Sequence, residues 1–217
     1  MTVLNMAHTE RLFNPTLARP VELIGVGSVG SHVAMGLAKV GFTDIRVWDD
    51  DFVASHNVPA SLYGEQDVGA LKVHALARRL REDAGVTLEI VPEKYQGETL
   101  KRQSIVIACV DKMEARKRIW STVRGKQSVQ LYCDTRMNAT FIEVLALVPH
   151  RAQDAERFDG LWFPDSEAST QMCGAHGIWF SAVRAADVTL SRVTQFLTEG
   201  SCKWRMAERC DTVSRVL

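Results

Sequence analysis

The sequence predicts an α/β protein built on a doubly wound, mainly parallel sheet, with antiparallel strands toward the C-terminus. Three observations support this. Between Val21 and Asp51 an apolar run, a glycine-rich turn, a helical pattern and a second apolar run follow one another. Further along, strand-like and helix-like segments alternate. The run Ser104–Val110 is apolar almost throughout, as in a strand buried on both faces. This order is typical of a Rossmann-like fold.

The turn after the first strand carries the pattern Gly-x-Gly-x-x-Gly, formed by Gly25, Gly27 and Gly30. In a strand–turn–helix context each glycine has a physical role. Gly25 permits the tight turn, Gly27 lets the backbone approach a phosphate, and Gly30 lets the helix pack close to the strand. The pattern therefore predicts that a phosphate-bearing ligand binds at this turn.

The helix that follows the turn offers free backbone amides at its first residues, which include Ser28 and Val29. Such amides, together with the positive end of the helix dipole, attract a phosphate. Asp49 ends the second strand, where a carboxylate can accept hydrogen bonds from ribose hydroxyls. We therefore expect a nucleotide, and the glycine turn by itself fits either a dinucleotide or ATP.

Hydrophobic periodicity predicts the remaining elements. The predicted strands are Val21–Gly25, Ile45–Trp48, Thr87–Val91, Ser104–Val110, Ser128–Cys133, Thr140–Val148 and an edge strand at Lys203–Met206. The strand at Thr140–Val148 is expected to be antiparallel because no helix separates it from the preceding strand. Helices are expected after Gly27, after Asp67 as a capping residue, at about Lys112–Val123 and at Gly174–Leu197. Loops are predicted at Phe52–Gly69 and His150–Met172.

Composition limits the function classes. The 217 residues suffice for one domain, with a motif-bearing core at about 21–148, a crossover loop at about 150–172 and a C-terminal helix at about 174–197. A net charge of +0 argues against nucleic-acid binding by bulk electrostatics. Apolar runs are too short for a membrane span. No secretory signal is visible at the N-terminus, so a cytoplasmic protein is expected.

The five cysteines fit reduced thiols better than a disulfide framework, because their number is odd and two of them lie in strand-like segments. A zinc site formed by Cys173, His176, Cys202 and Cys210 is an alternative to four unrelated residues. Its second cysteine pair lacks the tight spacing of structural zinc sites.

Residues further along the chain distinguish between a dinucleotide and ATP. Asp49 and Asp51 form an acid-x-acid pair, and Asn57, Lys72 and Cys109-Val110-Asp111 follow in order. With the glycine turn, this ordered set resembles the ThiF/MoeB/HesA family of ubiquitin-activating-enzyme-like adenylyltransferases. The resemblance covers about Val21 to Val148. It implies a Rossmann-like domain in which a carboxylate attacks the α-phosphate of ATP, and in which the protein forms a homodimer.

The resemblance also implies roles for single residues. The nucleotide would be bound by Gly25, Gly27, Ser28, Val29, Gly30, Asp49, Asp51, Asn57, Lys72 and Asp111. Asn57, Lys72 and Asp111 would serve catalysis, with Lys72 meeting phosphate oxygens and Asp111 holding Mg²⁺. Cys173 would be a candidate for a thioester with the partner, a ubiquitin-like or sulfur-carrier protein with a C-terminal glycine.

Each role has an ordinary alternative. Asp49 could be a solvated acid at a strand end, and Asp51 could cap a loop turn. Lys72 could be a solvated helix lysine, and Asp111 could cap the next helix. Cys173 also fits a packing turn. Loop histidines such as His56 are more often solvated than catalytic. The aromatic pair Trp162 and Phe163 is read as a local hydrophobic plug rather than a partner-binding knob.

One position departs from the family pattern Asn-x-x-Arg, because Ala60 stands where the arginine is expected. Substitute cations would be Arg11, Arg19, Arg116, Arg136 or a residue of a second subunit. The departure leaves two hypotheses, an adenylyltransferase and a degenerate member that binds a nucleotide or a partner protein without turnover. An NAD-dependent oxidoreductase is a third, although it leaves Lys72 and Asp111 unexplained.

Overall fold

The computed structural model describes residues 13–163 and 178–210. Seven strands form one sheet in the order β3-β2-β1-β4-β5-β6-β7. The strands are β1 Val21–Ile24, β2 Ile45–Trp48, β3 Glu89–Val91, β4 Ser104–Ala108, β5 Val129–Met137, β6 Phe141–Leu147 and β7 Arg205–Arg209. Strands β1 to β5 are mutually parallel, and β6 and β7 are added antiparallel. This confirms the predicted fold class.

In the described part of the chain, five α-helices cover the two faces of the sheet: α1 Ser28–Lys39, α2 Lys72–Ala84, α3 Met113–Val123, α4 Ala152–Asp159 and α5 Trp179–Glu199. One core lies between the sheet and the buried faces of α1, α2 and α5. A second core lies between the sheet and helices α3 and α4. Short 3₁₀ helices occupy Pro15–Leu17, Ser55–Ala60 and Glu65–Asp67. Among these described helices, no segment is long and apolar enough to cross a membrane.

The predicted elements differ from the observed ones mainly at their boundaries. Strand β5 continues to Met137 because its last residues pair with β6. Strand β7 begins at Arg205, so the predicted edge strand at Lys203–Met206 was placed about two residues too early. Helix α5 runs from Trp179 to Glu199, and the predicted start at Gly174 lies outside the described residues.

Helix α4 lies in a stretch that was predicted to be a loop. Only two of its side chains, Ala155 and Phe158, are buried. Tertiary contacts stabilise the helix, because Asp159 accepts a hydrogen bond from Trp120 Nε1 at 2.7 Å and pairs with Arg124. A helix of eight mostly polar residues is marginal by itself and depends on tertiary contacts, so its sequence gives little support for a helix.

Asp67 does not cap α2, contrary to the prediction. Its carboxylate accepts the backbone N–H of Gly64 at 2.8 Å and pairs with Arg78, while the helix begins at Lys72. Asp67 therefore closes its own 3₁₀ turn and ties that turn to α2. The preference of aspartate for turn starts and for helix caps has the same origin, so sequence alone did not separate them.

Candidate functional site

A cavity of about 450 Å³ opens at the carboxyl ends of β1, β2 and β4. This edge of a parallel sheet is where open α/β folds bind ligands. Nine of the ten residues predicted to bind a nucleotide line it: Gly25, Gly27, Ser28, Val29, Asp49, Asp51, Asn57, Lys72 and Asp111. They come from five separate segments that the fold brings together. The tenth, Gly30, lies beneath the cavity wall.

The glycine turn has the geometry that its pattern predicts. Gly25 has a φ of +89°, and a Cβ there would stand 2.7 Å from the carbonyl oxygen of Cys109. A Cβ at Gly30 would collide with the carbonyl of Gly25. At Gly27, by contrast, a Cβ would meet no atom within 4 Å. Gly25 and Gly30 are thus required by packing, whereas Gly27 leaves space open beside the backbone.

The N-terminus of α1 faces the cavity through Ser28 and Val29. Gly27 is the N-cap residue, and no side chain caps the first turn. Free amides and the positive end of the dipole are therefore directed at the cavity, an arrangement that favours a bound anion.

Asp49 connects the glycine turn to the end of β2. One carboxylate oxygen accepts the backbone N–H of Val26 at 2.8 Å, and the other accepts that of Asp51 at 2.9 Å. The hydroxyl of Tyr63 donates to the carbonyl of Val26 at 2.5 Å from the other side. Burial raises the pKa of Asp49, although nearby Lys72 and the two amides oppose this effect. Asp49 therefore holds the turn in shape, and each oxygen keeps a further lone pair for a ligand.

Lys72 begins α2 and is buried, with 8% of its surface exposed. Its ammonium lies 2.9 Å from Asp51 Oδ2, and its backbone N–H donates to the carbonyl of Asp51 at 2.9 Å. The predicted alternative of a solvated helix lysine is therefore wrong. A buried lysine held by one exposed carboxylate is positioned to exchange that partner for a phosphate oxygen.

Asn57 and His56 lie in the 3₁₀ helix on the cavity wall. The side-chain oxygen of Asn57 accepts the backbone N–H of Ala54 at 2.9 Å, which closes the turn. This hydrogen bond orients the amide so that its NH₂ group is the part left to donate to a ligand. His56 is exposed.

Asp111 lies on the cavity wall just after β4 and is exposed. The N-cap of α3 is Lys112, so the alternative role of Asp111 as helix cap is wrong. Within the described residues, its carboxylate has no ion-pair partner. A carboxylate oxygen is the ligand type that Mg²⁺ prefers.

Asp49, Asp50 and Asp51 also place ligand oxygens within 4.8 Å of one another. Each carboxylate already has a partner, however: backbone amides at Asp49 and a lysine at each of the other two. Lys94 Nζ lies 3.4 Å from Asp50, and Lys72 Nζ lies 2.9 Å from Asp51. Asp111 is therefore the better candidate for a magnesium ligand.

Ala60, at the position of the expected arginine, is buried and lines the cavity. His32 of α1 lies behind it, with Nε2 3.2 Å from the carbonyl oxygen of Ala60. The His32 ring meets the edge of Trp179 at the start of α5. His32 thus packs inside the protein and fixes the 3₁₀ helix that carries Asn57.

The three proposed substitute arginines that the structure describes do not offer a free guanidinium to the cavity. Arg19 precedes β1, at the opposite edge of the sheet, and donates to the carbonyls of Leu17 and Ala18. Arg136 is buried between Asp134 and Glu143. Arg116 reaches the cavity wall, but its guanidinium binds Asp134 and the carbonyls of Val110 and Thr135. Arg11 lies outside the described residues.

Cys173 and His176 also lie outside the described residues. Cys202 and Cys210 lie on either side of strand β7, Arg205–Arg209. Among the described residues, neither cysteine belongs to a group of three or more potential metal ligands. The zinc site stays a prediction, because its other two ligands are not described.

Trp162 packs edge-on against Phe158 of α4 with ring centroids 5.1 Å apart, and the Phe163 ring lies 5.8 Å from the Arg136 guanidinium carbon. These contacts within the protein favour the interpretation of the pair as a local plug.

An aromatic and cationic part of the cavity was not predicted from the sequence. Tyr95 and Lys94 follow β3, and the Tyr95 ring packs edge-on against Trp48 at 5.2 Å. Burial raises the pKa of Tyr95 to about 12. Arg118 and Ile119 of α3 complete this wall. Only the parallel register of β2 and β3 brings these segments together, and no sequence motif predicted that their residues would line the cavity.

Fold and site together define a Rossmann-like α/β protein with a glycine-turn ligand cavity at the carboxyl edge of its sheet. The ThiF family matches residues 12–181, and the chain belongs to this family. It is 30% identical over 105 residues to the sulfur carrier protein ThiS adenylyltransferase of Escherichia coli strain K12. That alignment covers 46% of this chain and 42% of the relative.

Solved structures share the fold. E. coli MccB with AMPCPP and MccA superimposes with a TM-score of 0.70 at 16% identity, over 97% of this chain and 65% of MccB. E. coli tRNA N6-threonylcarbamoyladenosine dehydratase, TcdA, superimposes with a TM-score of 0.67 at 16% identity, over 90% of this chain and 94% of TcdA. The chain thus spans less than half of the ThiS adenylyltransferase and less than two thirds of MccB.

Proposed function

We propose that this chain binds ATP and Mg²⁺ in the cavity and activates the carboxylate of a partner protein or peptide as an acyl-adenylate. The observation that carries the proposal is the convergence of nine motif residues from five segments on one cavity. Its volume of about 450 Å³ lies within the usual range of small-molecule sites. Membership of the ThiF family and a solved structure of MccB with ATP support the choice of nucleotide.

We expect the residues that line the cavity to contact different parts of the nucleotide. The amides of Ser28 and Val29 and the ammonium of Lys72 would hold phosphate oxygens. Asp49 would accept from the ribose hydroxyls, and Asn57 would donate to a phosphate through its NH₂ group. Asp111 would hold Mg²⁺, and the ion would offset negative charge on the phosphates in the transition state.

In the proposed reaction, a carboxylate oxygen of the partner forms a bond to the α-phosphorus of ATP. The bond from that phosphorus to the bridging oxygen of the β-phosphate breaks, and pyrophosphate leaves with the electron pair. The products are an acyl-adenylate and pyrophosphate. This step requires no protein nucleophile, so the contribution of the site is positioning and neutralisation of charge.

Because this chain is similar to the ThiS adenylyltransferase, we propose that its partner is a ubiquitin-like or sulfur-carrier protein with a C-terminal glycine. A peptide partner is the alternative suggested by the MccB–MccA complex. A homodimer in the cytoplasm and a thioester at Cys173 belong to the same proposal.

The first test is calorimetric titration with ATP·Mg²⁺, with NAD as the paired control ligand. We expect micromolar ATP binding that is lost in Asp111→Ala and retained in Asp50→Ala. Asp50 is the matched control because it lines the same cavity but is already paired with Lys94. Binding of NAD without ATP would overturn the proposal in favour of an oxidoreductase.

Ala60 favours a second candidate function, a member that binds nucleotide or partner without turnover. Loss of an arginine that contacts transferred phosphate costs on the order of 10³-fold in rate elsewhere. Pyrophosphate exchange into ATP, measured with partner peptides ending in glycine, separates the two functions. Exchange by the natural chain supports the enzyme, whereas exchange that arises only in Ala60→Arg identifies a binder.

A further inference from the structure

Positively charged side chains line the cavity although Ala60 stands at the position of the expected arginine. Five cationic side chains line it: Lys72, Lys94, Lys112, Arg116 and Arg118. A bound triphosphate requires cations that are able to leave their present partners, because an ion pair that must first be broken lowers the net gain. The present partners of these five side chains therefore decide which of them can bind a phosphate without giving up an existing ion pair.

Four of the five cations are engaged. Lys72 pairs with Asp51 at 2.9 Å, and Lys94 pairs with Asp50 at 3.4 Å. Arg118 pairs with Glu114 at 3.1 Å. The fourth, Arg116, is buried in its hydrogen bonds to Asp134 and two backbone carbonyls.

Lys112 is the exception. It is exposed and forms the N-cap of α3, directly after Asp111 at the carboxyl end of β4. Within the described parts of the chain, its ammonium has no ion-pair or hydrogen-bond partner. Its side chain lines the same cavity as Gly27 and Ser28, whose backbone is predicted to meet phosphate.

We propose that Lys112 binds the triphosphate of ATP and supplies the positive charge that an arginine at position 60 would otherwise provide. The inference rests on the proposed function, since it concerns how the same cavity binds its nucleotide. A flexible lysine beside Asp111 meets phosphate oxygens without breaking an existing pair, and it places a cation next to the carboxylate proposed to hold Mg²⁺.

A phosphate contact has a signature that a merely structural lysine lacks. Lys112→Ala should weaken ATP·Mg²⁺ binding by on the order of tenfold, as expected for a lost charged hydrogen bond. Binding of AMP, which has no β- or γ-phosphate, should change by less than about twofold on the same scale. Lys112→Arg should restore most of the ATP affinity.

Lys94→Ala is the matched control. Lys94 is also an exposed lysine of the cavity wall, but it is paired with Asp50 and lies beside Tyr95. We expect its loss to leave the ratio of ATP to AMP affinity unchanged. Thermal unfolding of each variant shows that the surface substitutions leave the fold intact.

The outcomes separate the two proposals. If the natural chain binds neither ATP nor AMP, the proposed function fails and the role of Lys112 fails with it. If the natural chain binds ATP but Lys112→Ala keeps the same ratio of ATP to AMP affinity, only the role of Lys112 is overturned. A selective loss of ATP affinity, rescued by Lys112→Arg, supports both.

Discussion

At the scale of single residues, His32 is not one of the predicted site residues, but its environment affects the stability of the protein. Its ring is buried between α1, the 3₁₀ helix that carries Asn57, and Trp179 of α5. Burial lowers the pKa of His32, and the hydrogen bond to the carbonyl of Ala60 opposes this effect. The neutral ring is therefore the form that the fold accommodates.

This environment predicts a pH dependence of stability. The unfolded chain takes up a proton at His32 near pH 6.5, whereas the folded chain does so only at lower pH. Stability from His32 is thus complete above about pH 6.5 and falls as the pH drops toward the lowered pKa. The slope is at most about 1.4 kcal/mol per pH unit for one proton.

Denaturant unfolding of the natural chain and of His32→Gln between pH 7.5 and 5 measures this dependence. We expect the variant to lose part of the slope below pH 6.5. His74→Gln is the control, because His74 is an exposed histidine of α2. An identical slope in the natural chain and in His32→Gln would contradict the assignment.

At the scale of the element, one glycine of the glycine turn is needed for packing and another for ligand binding. Gly30 lies where a Cβ collides with the carbonyl of Gly25, and Gly27 lies where a Cβ meets open space. Gly30→Ala should therefore lower the free energy of unfolding by about 1–3 kcal/mol, the usual range for overpacking. Gly27→Ala should leave stability nearly unchanged while it weakens nucleotide binding.

Urea denaturation and ATP titration of the two variants test this separation, and each variant serves as the control for the other. The expected pattern is a stability loss confined to Gly30→Ala and an affinity loss at preserved stability in Gly27→Ala. Full ATP affinity in Gly27→Ala would show that the phosphate does not approach the backbone at this turn.

At the scale of the whole molecule, a buried charge network joins the cavity to the antiparallel edge of the sheet. Asp134 of β5 binds Arg116 of α3 and Arg136 of its own strand. Glu143 of β6 binds Arg136 and, at 2.7 Å, Arg205 of β7. The network thus holds three cations with two carboxylates, and Asp134 lies between the two most buried of the arginines.

Removal of the central carboxylate should be costly, because it leaves two buried guanidinium groups without their shared partner. Asp134→Asn is expected to lower the free energy of unfolding by about 3–5 kcal/mol. Asp187→Asn is the control, an exposed acid paired with Arg184, with an expected change below about 0.5 kcal/mol.

Urea denaturation of both variants measures the difference. Equal losses in the two would show that the network contributes no more than a surface ion pair. Because Arg116 also binds the carbonyl of Val110, next to Asp111, Asp134→Asn should reduce ATP affinity as well.

The sequence by itself determined the fold class and most of the residues around the cavity. Glycine turns, strand-end acids and Lys72 lie in local patterns whose positions along parallel strands fix where they meet. The carboxyl ends of parallel strands share one edge, so residues such as Asp49 and Asp111 are brought together by topology alone.

Only the tertiary structure decided which charges are available there. Arg116, Arg136 and Lys112 are all cations in the sequence, but packing places the first two in the Asp134 network and leaves Lys112 on the cavity wall. Helix α4 and the Tyr95 wall likewise depend on contacts between distant segments. Burial and ion pairing arise from long-range neighbours, which local sequence patterns do not encode.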